Sequence, residues 1–174
     1  YLETGDDYLR ETAQAVTATS YWTHKNSWPR LAVGRDACFI RSAVLLYRYF
    51  ATEFFREIAY DAATDTIRAQ RENGSFGDQG GGTGIHQWAA YITKPWMGLL
   101  ATNGVLDYLE LFPDEPFLLE GVRKFADWLM AERFDHDGVM TWSYQHDFNG
   151  GRTHFQPSNG QHQILPGPAQ WHQD

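Results

Sequence analysis

The sequence predicts an all-α fold that consists of helical hairpins. Five segments of the 174-residue chain carry apolar residues at the spacing of an α-helix. Three of these segments are amphipathic, and the two that lie between them are apolar on nearly all sides. This alternation indicates two layers of helices, in which the amphipathic helices cover the apolar ones.

The first predicted helix covers residues 6–21. Leu9, Ala13 and Val16 recur at helical spacing, so we expect them to form the face that packs on the core. An Asp at the start of the segment can cap the helix. A loop is predicted over 23–34, because that stretch contains Pro and Gly.

The remaining predicted helices alternate in character. The second, over 36–50, and the fourth, over 95–111, are apolar nearly all the way round, so we expect them to be buried on most sides. The third, over 54–70, and the fifth, over 115–133, each have one apolar face and are expected to lie on the outside.

A repeat supports the hairpin arrangement. The stretches 1–22 and 108–128 both begin with Tyr-Leu-Glu and end in Trp, and 69–76 parallels 131–142. Recurrence of a two-helix unit is typical of stacked helical hairpins, and about two and a half units are present. The connections into the apolar helices are long and those out of them are short, so the long loops should share one face. Functional residues often lie on such loops.

Composition excludes several classes of function. A net charge of −8 argues against a nucleic-acid partner, which needs Lys and Arg to neutralise phosphates, and against an anionic membrane surface. Charged residues interrupt every apolar run, so no membrane span is predicted. Cys38 is the single cysteine, which excludes an intrachain disulfide and a thiolate metal cluster.

The chain divides into a helical part and a tail. We expect one hairpin domain over 1–149 and an irregular tail over 150–174, which is rich in Gln, His, Gly and Pro and has no helical period. No signal peptide is visible, and the sequence indicates no compartment. Because the chain begins at Tyr1 without a Met, we expect the natural N-terminus to precede it.

Three stretches carry a resemblance to a known superfamily: the helix start at 4–6, the turn at 70–76 and the apolar helix at 96–109. Together they resemble the α/α toroid (six-hairpin glycosidase-like) superfamily, in which inner and outer helices alternate around a ring. Its members include glycoside hydrolases, unsaturated uronyl hydrolases, sugar epimerases and polysaccharide lyases. The resemblance covers 1–144 and implies roughly half a ring. It therefore also implies self-association or a missing remainder of the ring, either of which would cover apolar helix sides.

The resemblance implies a carbohydrate substrate at the long-loop face, and glycoside hydrolysis is the first expectation. Hydrolysis uses two carboxylates that flank the scissile bond, and Asp78 on one loop with Asp135 or Asp137 on the next are the candidates. The alternative is that these Asp residues order turns by accepting backbone N–H groups. The aromatic side chains of the loops are candidates for substrate binding, with indoles as stacking platforms: His86, Trp88 and Trp142.

Two further functions stay open at the level of the sequence. A uronate lyase needs a base and an acid, which Tyr144 and His146 can supply. It must also neutralise a carboxylate, and the basic residues in or near the loops are the candidates for that role: Arg30, Arg35, Lys94 and Arg152. A non-catalytic partial toroid that binds or packs against another domain is the third possibility.

No cofactor and no metal are expected. His146, Asp147, His154 and His162 are the closest approach to a ligand set, but their spacing matches no tight ligand motif. The glycine-rich stretch over 80–84 lacks the Gly-Lys-Ser/Thr ending of a phosphate-binding loop.

Overall fold

The chain is mostly helical, as the sequence predicts. The computed structural model describes residues 3–27, 38–76, 92–136, 138–143, 145–147, 151–155 and 162–164. Within these residues lie five α-helices, whose bounds follow the predicted segments closely except at the end of the first: α1 (Asp7–Ser27), α2 (Phe39–Phe50), α3 (Glu53–Arg68), α4 (Pro95–Leu111) and α5 (Pro116–Glu132).

Helices α2 and α3 form the first hairpin, and α4 and α5 form the second. The two-residue connection after α2 turns sharply because Ala51 adopts a left-handed backbone (φ 48°), and its N–H donates to the carbonyl oxygen of Tyr47 at 2.7 Å. The connection after α4 covers 112–115, and Pro116 opens α5, where a missing N–H costs no helical hydrogen bond.

The two hairpins pack side by side in two layers, with α2 beside α4 and α3 beside α5. Ile40 near the start of α2 lies against Gly104, and the ring of Tyr47 near its end contacts that of Phe112 in a tilted arrangement, with ring centroids 5.6 Å apart. Both contacts advance in the same direction along the chain, so α2 and α4 run parallel. The core lies between the layers, and its fully buried side chains include Ile40, Val105 and Leu118.

Helix α1 packs on the α2–α3 hairpin through polar side chains. The hydroxyl of Tyr21 donates to Asp61 at 2.7 Å, and Lys25 Nζ lies 2.7 Å from carboxylate oxygens of both Asp61 and Asp65. Burial, followed by the hydrogen bond to Asp61, raises the pKa of Tyr21 to about 12. Burial opposes the charge of Lys25, but its hydrogen bonds to the two Asp residues outweigh that effect and raise the pKa of Lys25.

Two predictions about α1 differ from the structure. The predicted core face is wrong, since Leu9 is 43% exposed and Val16 60% exposed, while Thr17 and Tyr21 are buried instead. Pairing with the acidic side chains of α3 sets the rotation of the helix and overrides its apolar pattern. The helix also continues to Ser27, beyond the predicted end, because no Pro or Gly interrupts it there.

Burial of α2 and α4 on most sides is also wrong. Each helix carries a stripe of exposed large apolar side chains, which include Leu45 on α2 and Leu99 and Leu106 on α4. The described part of the chain supplies one covering layer, α3 and α5, and that layer covers only one side of α2 and α4.

Short antiparallel strands accompany the helices, and the sequence predicts none of them. Their bounds are β1 (Ile92–Thr93), β2 (Phe134–His136), β3 (Val139–Thr141), β4 (Gln145–Asp147), β5 (Gly151–Phe155) and β6 (His162–Ile164). Strands β2 and β3 form a hairpin, and the other four form a sheet in the order β1-β4-β5-β6. The prediction of an irregular tail over 150–174 is therefore wrong for β5 and β6. Strands of two to five residues are too short to show a period in the sequence.

Candidate functional site

The turn over 70–76 organises the end of the molecule where α3 finishes. Gln70 donates from Nε2 to two carbonyl oxygens, those of Gly74 in the turn and Gly121 in α5, at 2.8 Å each. The side chain of Asn73 accepts the N–H and the hydroxyl of Ser75 at 3.0 and 2.8 Å. The turn is thus closed on itself and bound to α5 by one side chain.

Close packing fixes this turn against α4 and α5. A Cβ at Gly74, whose φ is +89°, would overlap the carbonyl oxygen of Lys124 in α5. Phe76 packs on Phe125 with ring centroids 5.0 Å apart, and Gly98 near the start of α4 leaves room for both rings. The end of α3, the start of α4 and the middle of α5 therefore meet here.

Strand β1 joins the start of α4 to the small sheet. The hydroxyl of Thr93 donates to the carbonyl oxygen of Phe76, which ties β1 to the turn. In the antiparallel pairing of β4 with its two neighbours, His146 lies directly opposite Thr93 of β1 on one side and Arg152 of β5 on the other. The backbone of His146 thus lies in the middle of three strands beside the start of α4.

The β2–β3 hairpin follows α5 directly. Asp135 is exposed, and its Oδ1 accepts the N–H of Gly138 at 2.8 Å across the turn of the hairpin. Trp142, just after β3, is partly buried against the core, and its indole N–H donates to the carbonyl oxygen of Leu129 at 2.6 Å. Four segments together are called the loop face: the turn over 70–76, strand β1, the β2–β3 hairpin and strand β4.

The structure describes five of the twelve residues that the sequence predicts for the site, and two of them are Lys94, directly before α4, and Arg152 of β5. Asp135 has the turn-ordering contact that was the alternative to catalysis, and Trp142 is held by a contact to the core. The backbone of His146 is placed by register in β4. The other seven candidates lie outside the described residues: Arg30, Arg35, Asp78, His86, Trp88, Asp137 and Tyr144.

Two polar side chains hold this face together, Gln70 as a bridge and Thr93 as a tie, and neither is among the site residues that the sequence predicts. Arg71, in the same turn, is a partly buried cation, and burial lowers its pKa. The turn itself is recognisable in the sequence from its Asn-Gly dipeptide, which marks Gln70 and Arg71 by position. Nothing local marks Thr93, since its partner is 17 residues away.

Two properties of the described residues bear on cofactors and membranes. Among the side chains that the structure describes, no three His, Cys, Asp or Glu residues are grouped so that they can hold a metal ion. None of the helices in the described part of the chain is both long and apolar enough to cross a bilayer.

Comparison of the chain with protein-family models, with curated proteins and with solved structures gave no match. Any function assigned to the chain therefore depends on its own residues and on the geometry of the loop face.

Proposed function

We propose that the chain is a carbohydrate-active domain of the α/α toroid type, similar to glycoside hydrolases, that binds an oligo- or polysaccharide at the loop face. One observation carries this proposal. The segment that follows α3 and the segment that precedes α4 meet against α5 at one end of the hairpins, through Gln70, Thr93 and the contact between Gly74 and Lys124. A rigid end of this kind is a suitable platform for functional loops.

The two-layer arrangement supports the toroid part of the proposal. Parallel α2 and α4 correspond to inner helices, and α3 and α5 correspond to the outer helices of two successive hairpins. Fold alone does not specify a reaction, so the chemistry has to come from side chains on the loop face.

Hydrolysis is the proposed reaction, and it needs two carboxylates. We assign them to Asp78 and to one of Asp135 and Asp137: one of the two acts as the acid and the other as the base or nucleophile. Asp135 stands on the β2–β3 hairpin, directly after α5, and its bond to Gly138 fixes the orientation of its carboxylate. Asp78 follows the turn by two residues, so its chain position is close to the anchored Phe76. Trp88 and Trp142 are the proposed stacking platforms, with His86 beside the first.

The test is a time course on neutral and uronic-acid polysaccharides, in which reducing ends and ultraviolet absorbance from a new C=C bond are read together. Hydrolysis yields reducing ends without absorbance. Asp78→Asn, Asp135→Asn and Asp137→Asn are then compared with the unmodified chain. Asp114→Asn, in the connection at the opposite end of the hairpins, is the control that should keep full activity. Full activity in all three loop variants would refute the assignment.

A second candidate is a uronate lyase, and the β4–β5 register favours it. His146 lies directly opposite Arg152, which brings a candidate proton-transfer residue and a candidate partner for a uronate carboxylate to one sheet. Arg30 and Arg35 are further candidates for that carboxylate. Reducing ends and absorbance would then rise together, and Tyr144→Phe should abolish both, while Tyr60→Phe on α3 should abolish neither.

An unchanged rate in Tyr144→Phe would exclude the lyase mechanism with this residue. Failure to act on every substrate would contradict both reactions and favour a non-catalytic module that packs against another domain.

A further inference from the structure

The dipeptide Asn73-Gly74 in the turn over 70–76 is a chemically reactive sequence. Asparagine followed by glycine rearranges readily, because glycine has no Cβ to hinder the approach of its nitrogen to the side chain before it. Asn73 is exposed, and Gly74 is buried directly after it. A second such dipeptide, Asn103-Gly104, lies within α4.

The reaction at this dipeptide needs only water as a co-reactant. The backbone nitrogen of Gly74 attacks Cγ of Asn73, a bond forms between them, and the bond from Cγ to Nδ2 breaks. Ammonia leaves and takes the proton of the Gly74 nitrogen, so that a five-membered succinimide remains. Water then opens this ring at either carbonyl and gives aspartate or isoaspartate. In isoaspartate the main chain passes through the side chain and is longer by one carbon.

In the closed turn, hydrogen bonds hold both reacting groups. The N–H of Gly74 donates to the carbonyl oxygen of Arg71 at 2.9 Å, so the attacking nitrogen keeps its proton. The side-chain oxygen of Asn73 accepts the N–H and the hydroxyl of Ser75 at 3.0 and 2.8 Å, which fixes the orientation of the side-chain amide. The attack therefore requires the turn to open first.

Contacts with α5 keep the turn closed. Gln70 binds the carbonyl oxygens of Gly74 and of Gly121 in α5, and the backbone of Gly74 lies directly against the carbonyl oxygen of Lys124. Opening the turn breaks these contacts. The rate of a reaction that proceeds only from the open turn follows the population of that state.

We propose that Asn73 is a site of spontaneous deamidation that the closed turn protects, and that isoaspartate at this position prevents the turn from closing again. Aspartate at position 73 keeps a side-chain oxygen for the N–H and hydroxyl of Ser75, so the turn accommodates it. Isoaspartate shifts Gly74 by one main-chain carbon, at a place where even an added Cβ would overlap Lys124. Each opening thus carries a risk of irreversible damage to the loop face.

The first test compares deamidation in the folded and the unfolded chain. The protein is incubated in mildly alkaline buffer with and without denaturing urea, and peptide mapping by mass spectrometry follows Asn73 and Asn103. In urea we expect both to react at similar rates. Without urea, Asn73 should react at least about tenfold more slowly than in urea, because the turn is closed most of the time. Equal rates at Asn73 in the two conditions would overturn the proposal.

A variant tests whether the turn itself gives the protection. Gln70→Ala should speed the reaction at Asn73 in buffer and leave Asn103 slow, since the amides of α4 remain bonded within the helix. Gln14→Ala, on α1, is the matched control and should change neither rate. If Gln70→Ala does not fold, the unmodified chain in sub-denaturing urea replaces it, and the rate at Asn73 should rise before that at Asn103. No such selective rise would contradict protection by the turn.

The second test concerns the products. A sample partly deamidated in urea is refolded, the folded fraction is selected by its resistance to a protease, and both products at position 73 are quantified. We expect the folded fraction to retain aspartate and to lose isoaspartate. Asn73→Asp is the control, and its urea midpoint should stay close to that of the unmodified chain. Isoaspartate in the same proportion as aspartate among folded molecules would overturn the proposal.

Discussion

Gly74 is the residue at which a single methyl group should damage the fold most clearly. Its φ of +89° lies in a region that side chains disfavour, which costs an Ala about 1–2 kcal/mol. In addition, the new Cβ would overlap the carbonyl oxygen of Lys124 and lie 2.7 Å from its carbonyl carbon. Both are backbone atoms of α5, so the clash is relieved only by moving the turn or the helix.

Gly74→Ala should therefore lower the free energy of unfolding by the sum of two effects. Overpacking of a tight contact costs about 1–3 kcal/mol, and with the backbone strain the total is about 2–5 kcal/mol. The assay is urea unfolding followed by far-ultraviolet circular dichroism, with the free energy taken from the midpoint and slope.

Gly138→Ala separates the two effects. Gly138 has a similar φ of +77°, but nothing lies within 4 Å of a Cβ placed there, so only backbone strain is added. We expect a loss of at most about 1–2 kcal/mol for this control. If Gly74→Ala destabilises the chain no more than Gly138→Ala does, the close contact between the turn and α5 is not present in solution.

Three more predictions concern stability, and urea unfolding checks each of them. Gln70→Ala should cost about 1–3 kcal/mol, because two carbonyl oxygens lose their donor; an unchanged midpoint would contradict the bridge. Tyr21→Phe should cost about 1 kcal/mol at neutral pH. The folded-state pKa of Tyr21, about 12, lies above the ordinary value of 10.0, so the contribution of the Tyr21 hydroxyl to the free energy of unfolding is complete below pH 10 and is lost as the pH rises to 12. If the unmodified chain were still more stable than the Phe variant at pH 12, the contact with Asp61 would be refuted. Leu118→Ala should cost about 2–5 kcal/mol, while the exposed neighbour Phe117→Ala should cost much less.

The hairpins could be predicted because their determinants are local. Pro95 and Pro116 mark the starts of α4 and α5, and the apolar period between such breaks sets the helix type. The turn between α3 and β1 could be predicted for the same reason, since Asn73 and Gly74 stand together in the sequence. Each of these features depends on residues within one or two turns of the chain.

The rotation of α1 could not be predicted, because it depends on partners far away in sequence. Leu9 and Val16 mark one face as apolar, but Tyr21 and Lys25 reach acidic side chains of α3 forty residues later. The small sheet is similar, since each strand is defined by its pairing rather than by its own pattern. The candidate site combines both situations: the contact of Asp135 with its own turn is local and could be predicted as the alternative to catalysis, whereas the hydrogen bond from Thr93 to the carbonyl oxygen of Phe76 could not.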